Sequence, residues 1–174
     1  MIKTIVIGLG NPILGDDGVG WKVAEEVQRL LLSPTESPTG ALREEDGGEG
    51  EVTVDCFSLG GISLMERLVG YDRTILIDAL ALDRPPGSIF IFPLEDLPNY
   101  SSVHTTSAHD TSLQNALKMG KNLCAHLPDH VMVVGIAARR LYDFSEELSP
   151  PLAAAVPEAA RMVLELLNLH VITD

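Results

Sequence analysis

The sequence predicts an α/β protein, a three-layer sandwich in which helices cover both faces of a twisted, mostly parallel sheet of about five strands. Short runs rich in β-branched residues alternate along the chain with longer segments that have helical spacing. The first run, residues 2–8, is continuously apolar, which is typical of a strand buried on both faces. The length of 174 residues suits one domain, so we expect residues 1–174 to form a single domain.

The expected strands and helices follow one another in alternation. Apolar residues at three- and four-residue spacing predict the longer helices, and the Gly60-Gly61 turn opens a shorter one. The connection at Pro85-Pro86-Gly87 is too short for a crossover helix, so the fourth strand should be antiparallel to its neighbour. The expected strands are 2–8, 52–57, 73–79, 88–92 and 131–136, and the expected helices are 16–32, 61–69, 109–125 and 152–169.

One segment lacks the pattern of regular structure. Residues 33–50 are rich in Pro, Gly, Ser, Thr and Glu. Such a segment buries too little apolar surface to offset the entropy that ordering costs. We therefore expect a mobile loop at 33–50 that contributes nothing to the core.

Charge and cysteine content exclude several classes of protein. The formal net charge of −13 argues against a general nucleic-acid binder, which needs a basic patch for phosphates. No apolar run approaches the roughly 20 residues of a membrane span, so neither nucleic acid nor a membrane is an expected partner. Cys56 and Cys124 are far apart and lack CxxC spacing, which predicts two buried thiols in a reducing cytoplasm rather than a disulfide or a zinc site.

The turn after the first strand combines glycines with two adjacent acids. Gly8, Gly10 and Gly15 give the spacing GxGxxxxG, whereas dinucleotide sites have GxGxxG. Asp16 and Asp17 stand where a pyrophosphate would need positive charge, so the turn is better suited to a cation. Helix capping accounts well for one of these acids and less well for the pair beside four glycines.

Two further residues are expected at the same edge of the sheet. Asp78 ends a buried strand, and ligands of parallel sheets bind outside the carboxyl ends of the strands. His109 opens a predicted helix, and a neutral imidazole is a good ligand for nickel or zinc. Taken singly, Asp78 could cap a turn and His109 could be a surface histidine. Together with Asp17 they would form a mixed oxygen and nitrogen site with open positions, and no GxSxG, HExxH or catalytic-cysteine signature supplies a nucleophile.

Three motifs occur in a fixed order along the chain. They are Gly8-Leu9-Gly10-Asn11 with Gly15-Asp16-Asp17-Gly18-Val19-Gly20, then Ile77-Asp78-Ala79, then Ser107-Ala108-His109. This order resembles that of the hydrogenase maturation endopeptidases, over nearly all of the chain except 33–50. The resemblance implies an enzyme that removes the C-terminal extension of a nickel–iron hydrogenase large-subunit precursor after nickel insertion. It also implies that Asp17, Asp78 and His109 are the catalytic and metal-binding residues, with nickel brought by the precursor and no organic cofactor.

The chain departs from the family's pattern in three places. The family often has Glu at the position of Asp17, and Gly-Gly-Thr where residues 60–63 read Gly-Gly-Ile-Ser. A polar residue and proline often follow the last strand, where residues 137–140 read Ala-Ala-Arg-Arg. The particular hydrogenase therefore stays open.

Two other functions stay open at this point. One is a nickel-checking chaperone that binds the precursor without cutting it. The other is a dinucleotide-binding enzyme with Asp55 as its ribose acid, although the glycine spacing and the pair Asp16-Asp17 oppose it. The sequence also leaves open whether the metal or a carboxylate such as Asp17 drives hydrolysis.

Overall fold

The computed structural model describes residues 2–32, 50–97, 112–139 and 144–168. Within these ranges five strands form one sheet, flanked by four α-helices and two short 3-10 helices. The strands are β1 (Lys3–Leu9), β2 (Glu51–Phe57), β3 (Arg73–Leu80), β4 (Ile89–Pro93) and β5 (His130–Ala137). The α-helices are α1 (Val19–Leu32), α2 (Gly61–Arg67), α3 (Leu113–Asn122) and α4 (Pro150–Asn168), and the 3-10 helices are Gly15–Gly18 and Leu94–Asp96. The loop expected at 33–50 lies outside the described residues except for Gly50, and so does His109.

The sheet is mostly parallel, as the sequence predicted. The strand order is β2-β1-β3-β5-β4, and only β4 is antiparallel to its partner, β5. The short connection between β3 and β4 contains no crossover helix, which explains the reversed direction of β4. The predicted three-layer α/β class is confirmed.

Side chains of β3 alternate between two buried clusters. Ile75, Ile77 and Ala79 pack with α1 and α4 on one face of the sheet. Leu76 and Leu80 pack with α2 and α3 on the other face. Every residue of β3 is buried, as expected for the central strand of a sheet covered on both sides.

The first helix begins later than predicted. Residues 15–18 form a tight 3-10 helix, and α-helical geometry starts only at Val19. Asp16 and Asp17 make hydrogen bonds outside this helix, to Ser149 and Asn11, which local spacing cannot show. No helix within the described ranges has both the length and the apolar character to cross a membrane.

Candidate active site

Asp17 lies in the 3-10 helix that follows β1, and only 1% of it is exposed. The Asn11 N–H donates a hydrogen bond of 2.7 Å to Asp17 Oδ2. Gly10 has a φ of +129°, and a Cβ on it would lie 1.9 Å from the Asp17 carbonyl oxygen. The turn therefore folds back on itself, and glycine is required where its two parts meet.

Asp78 lies within β3 and is fully buried. It is paired with Gly135 of β5, and β3 continues for two residues beyond it, to Leu80. The prediction that the strand ends on Asp78 is therefore wrong, because pairing with β5 extends as far as Ala137. Alternation places Asp78 on the same face as Leu76 and Leu80. An acid at a position where apolar residues surround it is costly to bury and is typical of a functional group.

The elements that carry the two acids are in contact. The Gly15–Gly18 helix packs against β3. A Cβ on Gly20 would lie 2.4 Å from the carbonyl oxygen of Ile77, whose peptide bond leads to Asp78. The structure thus places Asp17 and Asp78 on neighbouring elements at the carboxyl side of the sheet.

The position of His109 relative to Asp17 and Asp78 stays a prediction, because His109 lies outside the described residues. His109 precedes Leu113 by four residues, and Leu113 belongs to the same buried cluster as Leu76 and Leu80 on either side of Asp78. Four extended residues span at most about 14 Å. Among the described residues no three His, Cys, Asp or Glu side chains are arranged to bind a metal ion. The predicted third ligand lies outside those residues, so the three-ligand site is a proposal.

Asp16 has a role that the sequence did not reveal. Ser149 donates to it twice, from its N–H to Oδ1 at 2.7 Å and from its hydroxyl to Oδ2 at 2.9 Å. The sequence offered helix capping as an explanation for one acid of the pair, but the N-cap of the 3-10 helix is Leu14, without a side-chain cap. Asp16 instead accepts hydrogen bonds from Ser149, the residue that directly precedes α4. The only feature of the sequence that hints at this contact is Ser149 itself, which directly precedes Pro150 and Pro151.

The geometry opposes a dinucleotide site. The space above Gly10, where a pyrophosphate would approach the backbone, is filled by the Asp17 carbonyl group. Asp55, the candidate ribose acid, accepts hydrogen bonds from the Arg67 guanidinium and from the Cys56 N–H. The glycines of the first motif therefore allow close packing of the chain on itself.

The two cysteines lie in different environments, and Cys56 is unsuited to be a nucleophile. Burial, aided by Glu25 and Asp55, raises the pKa of the Cys56 thiol to about 11, so the thiol is protonated at neutral pH. Cys124 follows the end of α3 and is exposed, so the expectation of two buried thiols is wrong for it. Its φ of +61° is in the left-handed region, as is common just after the end of a helix.

One His–Asp pair lies at the opposite edge of the sheet. His126 Nε2 is 2.9 Å from Asp72 Oδ1, and the other oxygen of Asp72 accepts the N–H of Lys3 at the start of β1. The pair therefore lies at the amino side of the sheet and does not belong to the site around Asp17 and Asp78.

Comparison with known proteins gives one consistent family. A family model, HycI, described as hydrogenase maturation protease, matches residues 53–166. A putative hydrogenase maturation protease of Methanocaldococcus jannaschii is 27% identical over 164 residues, covering 92% of this chain and 93% of the relative. The hydrogenase expression/formation protein HupD of Thiocapsa roseopersicina is 26% identical over 165 residues, covering 95% of this chain and 67% of the relative.

Solved structures agree with this assignment. The hydrogenase 2 maturation peptidase of a Thaumarchaeota archaeon is 30% identical, with a TM-score of 0.61 over 96% of this chain and 99% of that one. The hydrogenase maturating endopeptidase HybD of E. coli has a TM-score of 0.65 over 97% of this chain and 94% of its own, at 19% identity. At that identity, the similarity to HybD concerns the fold alone.

Proposed function

Since this chain belongs to the hydrogenase maturation protease family and is a peptidase, we propose that it removes the C-terminal extension of a nickel–iron hydrogenase large-subunit precursor after nickel insertion. One observation carries the proposal. Two buried acids, Asp17 and Asp78, lie on contacting elements at the carboxyl side of a parallel sheet, where ligands of such sheets bind.

The nickel ion is part of the substrate in this proposal. Asp17, Asp78 and His109 would bind it through two carboxylates and one imidazole, a donor set that suits nickel and leaves positions open for ligands from the precursor. A metal ion held by these residues would polarise a carbonyl group or lower the pKa of a bound water. Cleavage consumes one water, whose oxygen joins the scissile carbonyl carbon while a proton passes to the leaving amine. A carboxylate such as Asp17 can accept the proton that the attacking water loses.

The surface beside the turn is suited to a protein substrate. Ile13 is 49% exposed and Phe144 is 86% exposed. The Ser145 N–H donates to the Ile13 carbonyl oxygen at 3.1 Å, so the two segments lie side by side. Exposed apolar side chains that lie together can form part of a surface that binds other proteins, whereas scattered single ones are ordinary. We propose that the precursor, rather than a free peptide, covers them during cleavage.

The decisive test compares nickel-loaded and nickel-free precursor. Each is incubated with the purified protein, and mass spectrometry reports the loss of the C-terminal extension. We expect cleavage of the nickel-loaded precursor alone. Efficient cleavage of nickel-free precursor would remove the nickel requirement from the proposal. A stable complex with no change in mass would instead identify a non-cleaving chaperone.

Substitutions at the site extend this test. Asp17→Asn and Asp78→Asn keep the side-chain shape and remove the charge, and His109→Ala removes the imidazole. Each should slow cleavage by about a hundredfold or more, since each removes a metal ligand or a proton acceptor. The matched controls are Asp129→Asn, whose exposed acid pairs with Lys121, and His126→Ala at the amino side of the sheet. Equal losses in the controls would contradict the site assignment.

A further inference from the structure

Residues 145–149 pass beside the turn that carries Asp17. The Gly15 N–H donates to the Ser145 carbonyl oxygen at 2.7 Å, and the Ser145 N–H donates to the Ile13 carbonyl oxygen at 3.1 Å. Leu14 and Ser145 thereby form an isolated parallel bridge. One side of the turn is thus attached through its backbone.

The second attachment is the contact between Asp16 and Ser149. Both oxygens of the Asp16 carboxylate accept a hydrogen bond from Ser149, at 2.7 and 2.9 Å, and only 5% of Asp16 is exposed. Hydrogen bonds to an ionised acceptor belong to the stronger class. The acid also lies at the amino end of α4, where the helix dipole favours negative charge.

The partner of Asp16 is attached to the core. Ser149 directly precedes α4, and its carbonyl oxygen accepts the N–H groups of Leu152 and Ala153. Pro150 and Pro151 lack an N–H, so Ser149 supplies the donors to Asp16 at this end of the helix. α4 packs against α1 and contributes Leu152 to the buried cluster. The contact thus connects the turn to a rigid part of the molecule.

We infer that Asp16 is a positioning residue for the proposed cleavage and acts by orienting Asp17. The two acids are consecutive in one 3-10 helix, so the peptide bond between them moves when the Asp16 side chain loses its anchor. In this arrangement the two acids have different roles. Asp16 is bonded to α4, while Asp17 serves the reaction. The inference rests on the proposed role of Asp17.

The contact could instead serve stability alone, and a control on the same helix separates the two roles. Val163 is fully buried on α4, thirteen residues after Pro150, or about 20 Å along the helix axis. Val163→Ala should lower the melting temperature without disturbing the amino end of α4. Asp16→Ala removes the contact. Asp16→Asn keeps it in part, because an amide oxygen accepts the Ser149 N–H and an amide N–H donates to the Ser149 hydroxyl oxygen.

The experiment measures kcat, KM and melting temperature for cleavage of nickel-loaded precursor. We expect Asp16→Ala to lower kcat by about tenfold or more while KM changes little, because a displaced catalytic group slows the reaction steeply. Asp16→Asn should retain most of the rate, whereas Asp17→Asn should not. Val163→Ala should have a lower melting temperature than the wild type and an unchanged kcat. Ser149→Ala keeps the hydrogen bond from the N–H and loses the one from the hydroxyl, so its rate should be intermediate. It also serves as a second variant if Asp16→Ala does not fold.

A double substitution tests whether Asp16 acts through Asp17. Asp16→Ala should slow Asp17→Asn no further, since the oriented carboxylate is already absent. Multiplied losses would overturn the inference, and so would an Asp16→Ala or Ser149→Ala variant that behaves like Val163→Ala. Loss of activity in Asp16→Asn as large as in Asp17→Asn would show that the Asp16 charge acts directly, which would also overturn the inference. If the wild-type protein leaves the precursor uncut, the proposed function fails; if it cuts and only the Asp16 and Ser149 results disagree, the positioning role alone fails.

Discussion

Adding one methyl group at Gly20 should disturb both stability and catalysis. A Cβ there would lie 2.2 Å from the Leu9 carbonyl oxygen and 2.4 Å from the Ile77 carbonyl oxygen. Both contacts are with backbone, which cannot rotate away as a side chain can. Ordinary contact distances are about 3.5 Å, so in Gly20→Ala the start of α1 must retreat from the sheet by about 1 Å.

The loss of stability in Gly20→Ala follows from that displacement. Overpacking a well-packed interior costs about 1–3 kcal/mol, and each kcal/mol shifts the melting temperature of a chain of this size by about 2–4 °C. Gly20→Ala should therefore melt about 2–12 °C lower. The same movement carries Asp17, three residues earlier, and a misplacement of about 1 Å can slow a reaction by about a hundredfold.

The assays are thermal unfolding and cleavage of nickel-loaded precursor. The matched control is Gly120→Ala in α3, where the added Cβ would meet Leu127 Cδ1 at 2.6 Å and Met65 Sδ at 2.9 Å. Those atoms end flexible side chains, and replacing a mid-helix glycine by alanine is worth about 0.5–1 kcal/mol, so the control should stay close to wild type. If Gly20→Ala melts and cleaves like the wild type, the close approach of α1 to β1 and β3 does not constrain the site.

Three further outcomes can be measured. Cys124 has a φ of +61°, so Cys124→Gly should raise the free energy of unfolding by about 1 kcal/mol in denaturant titration, and a decrease would show that this conformation is not strained. Iodoacetamide should label exposed Cys124 well before Cys56, whose thiol pKa is raised to about 11 by burial; equal rates by mass spectrometry would contradict this. The pKa of Asp72 is lowered from its ordinary 3.8, chiefly by the Lys3 N–H and next by His126, so its stabilising effect is complete above that value and is lost as pH falls below it. Asp72→Asn should therefore be less stable than wild type at pH 6, and the difference should shrink below about pH 4; a difference independent of pH would refute the assignment.

Much of the fold follows from local patterns in the sequence. Continuous apolar runs located the strands, including β3, and three- and four-residue spacing located the helices, because burial on one or both faces leaves a period in the sequence. The short Pro85-Pro86-Gly87 connection predicted the reversed strand β4, which the structure confirms. Element ends were less accurate, since strand pairing carries β3 beyond Asp78 and a left-handed residue, Cys124, ends α3 early.

The candidate site, like the fold, could be predicted only in part from the sequence. The order of motifs along the chain was enough to indicate the family, and the resemblance selected Asp17, Asp78 and His109 as candidates at the edge of the sheet where ligands bind. Only the tertiary structure shows that Asp16 binds Ser149, which lies 133 residues away in the chain, and that Gly20 lies against the Ile77 carbonyl group. A hydrogen bond or a backbone contact between distant residues leaves no periodic signal in the sequence, since it depends on how whole elements pack. For this protein the sequence determined which elements form and which acids are candidates, and packing decided that Asp16 is bonded to the residue that precedes α4.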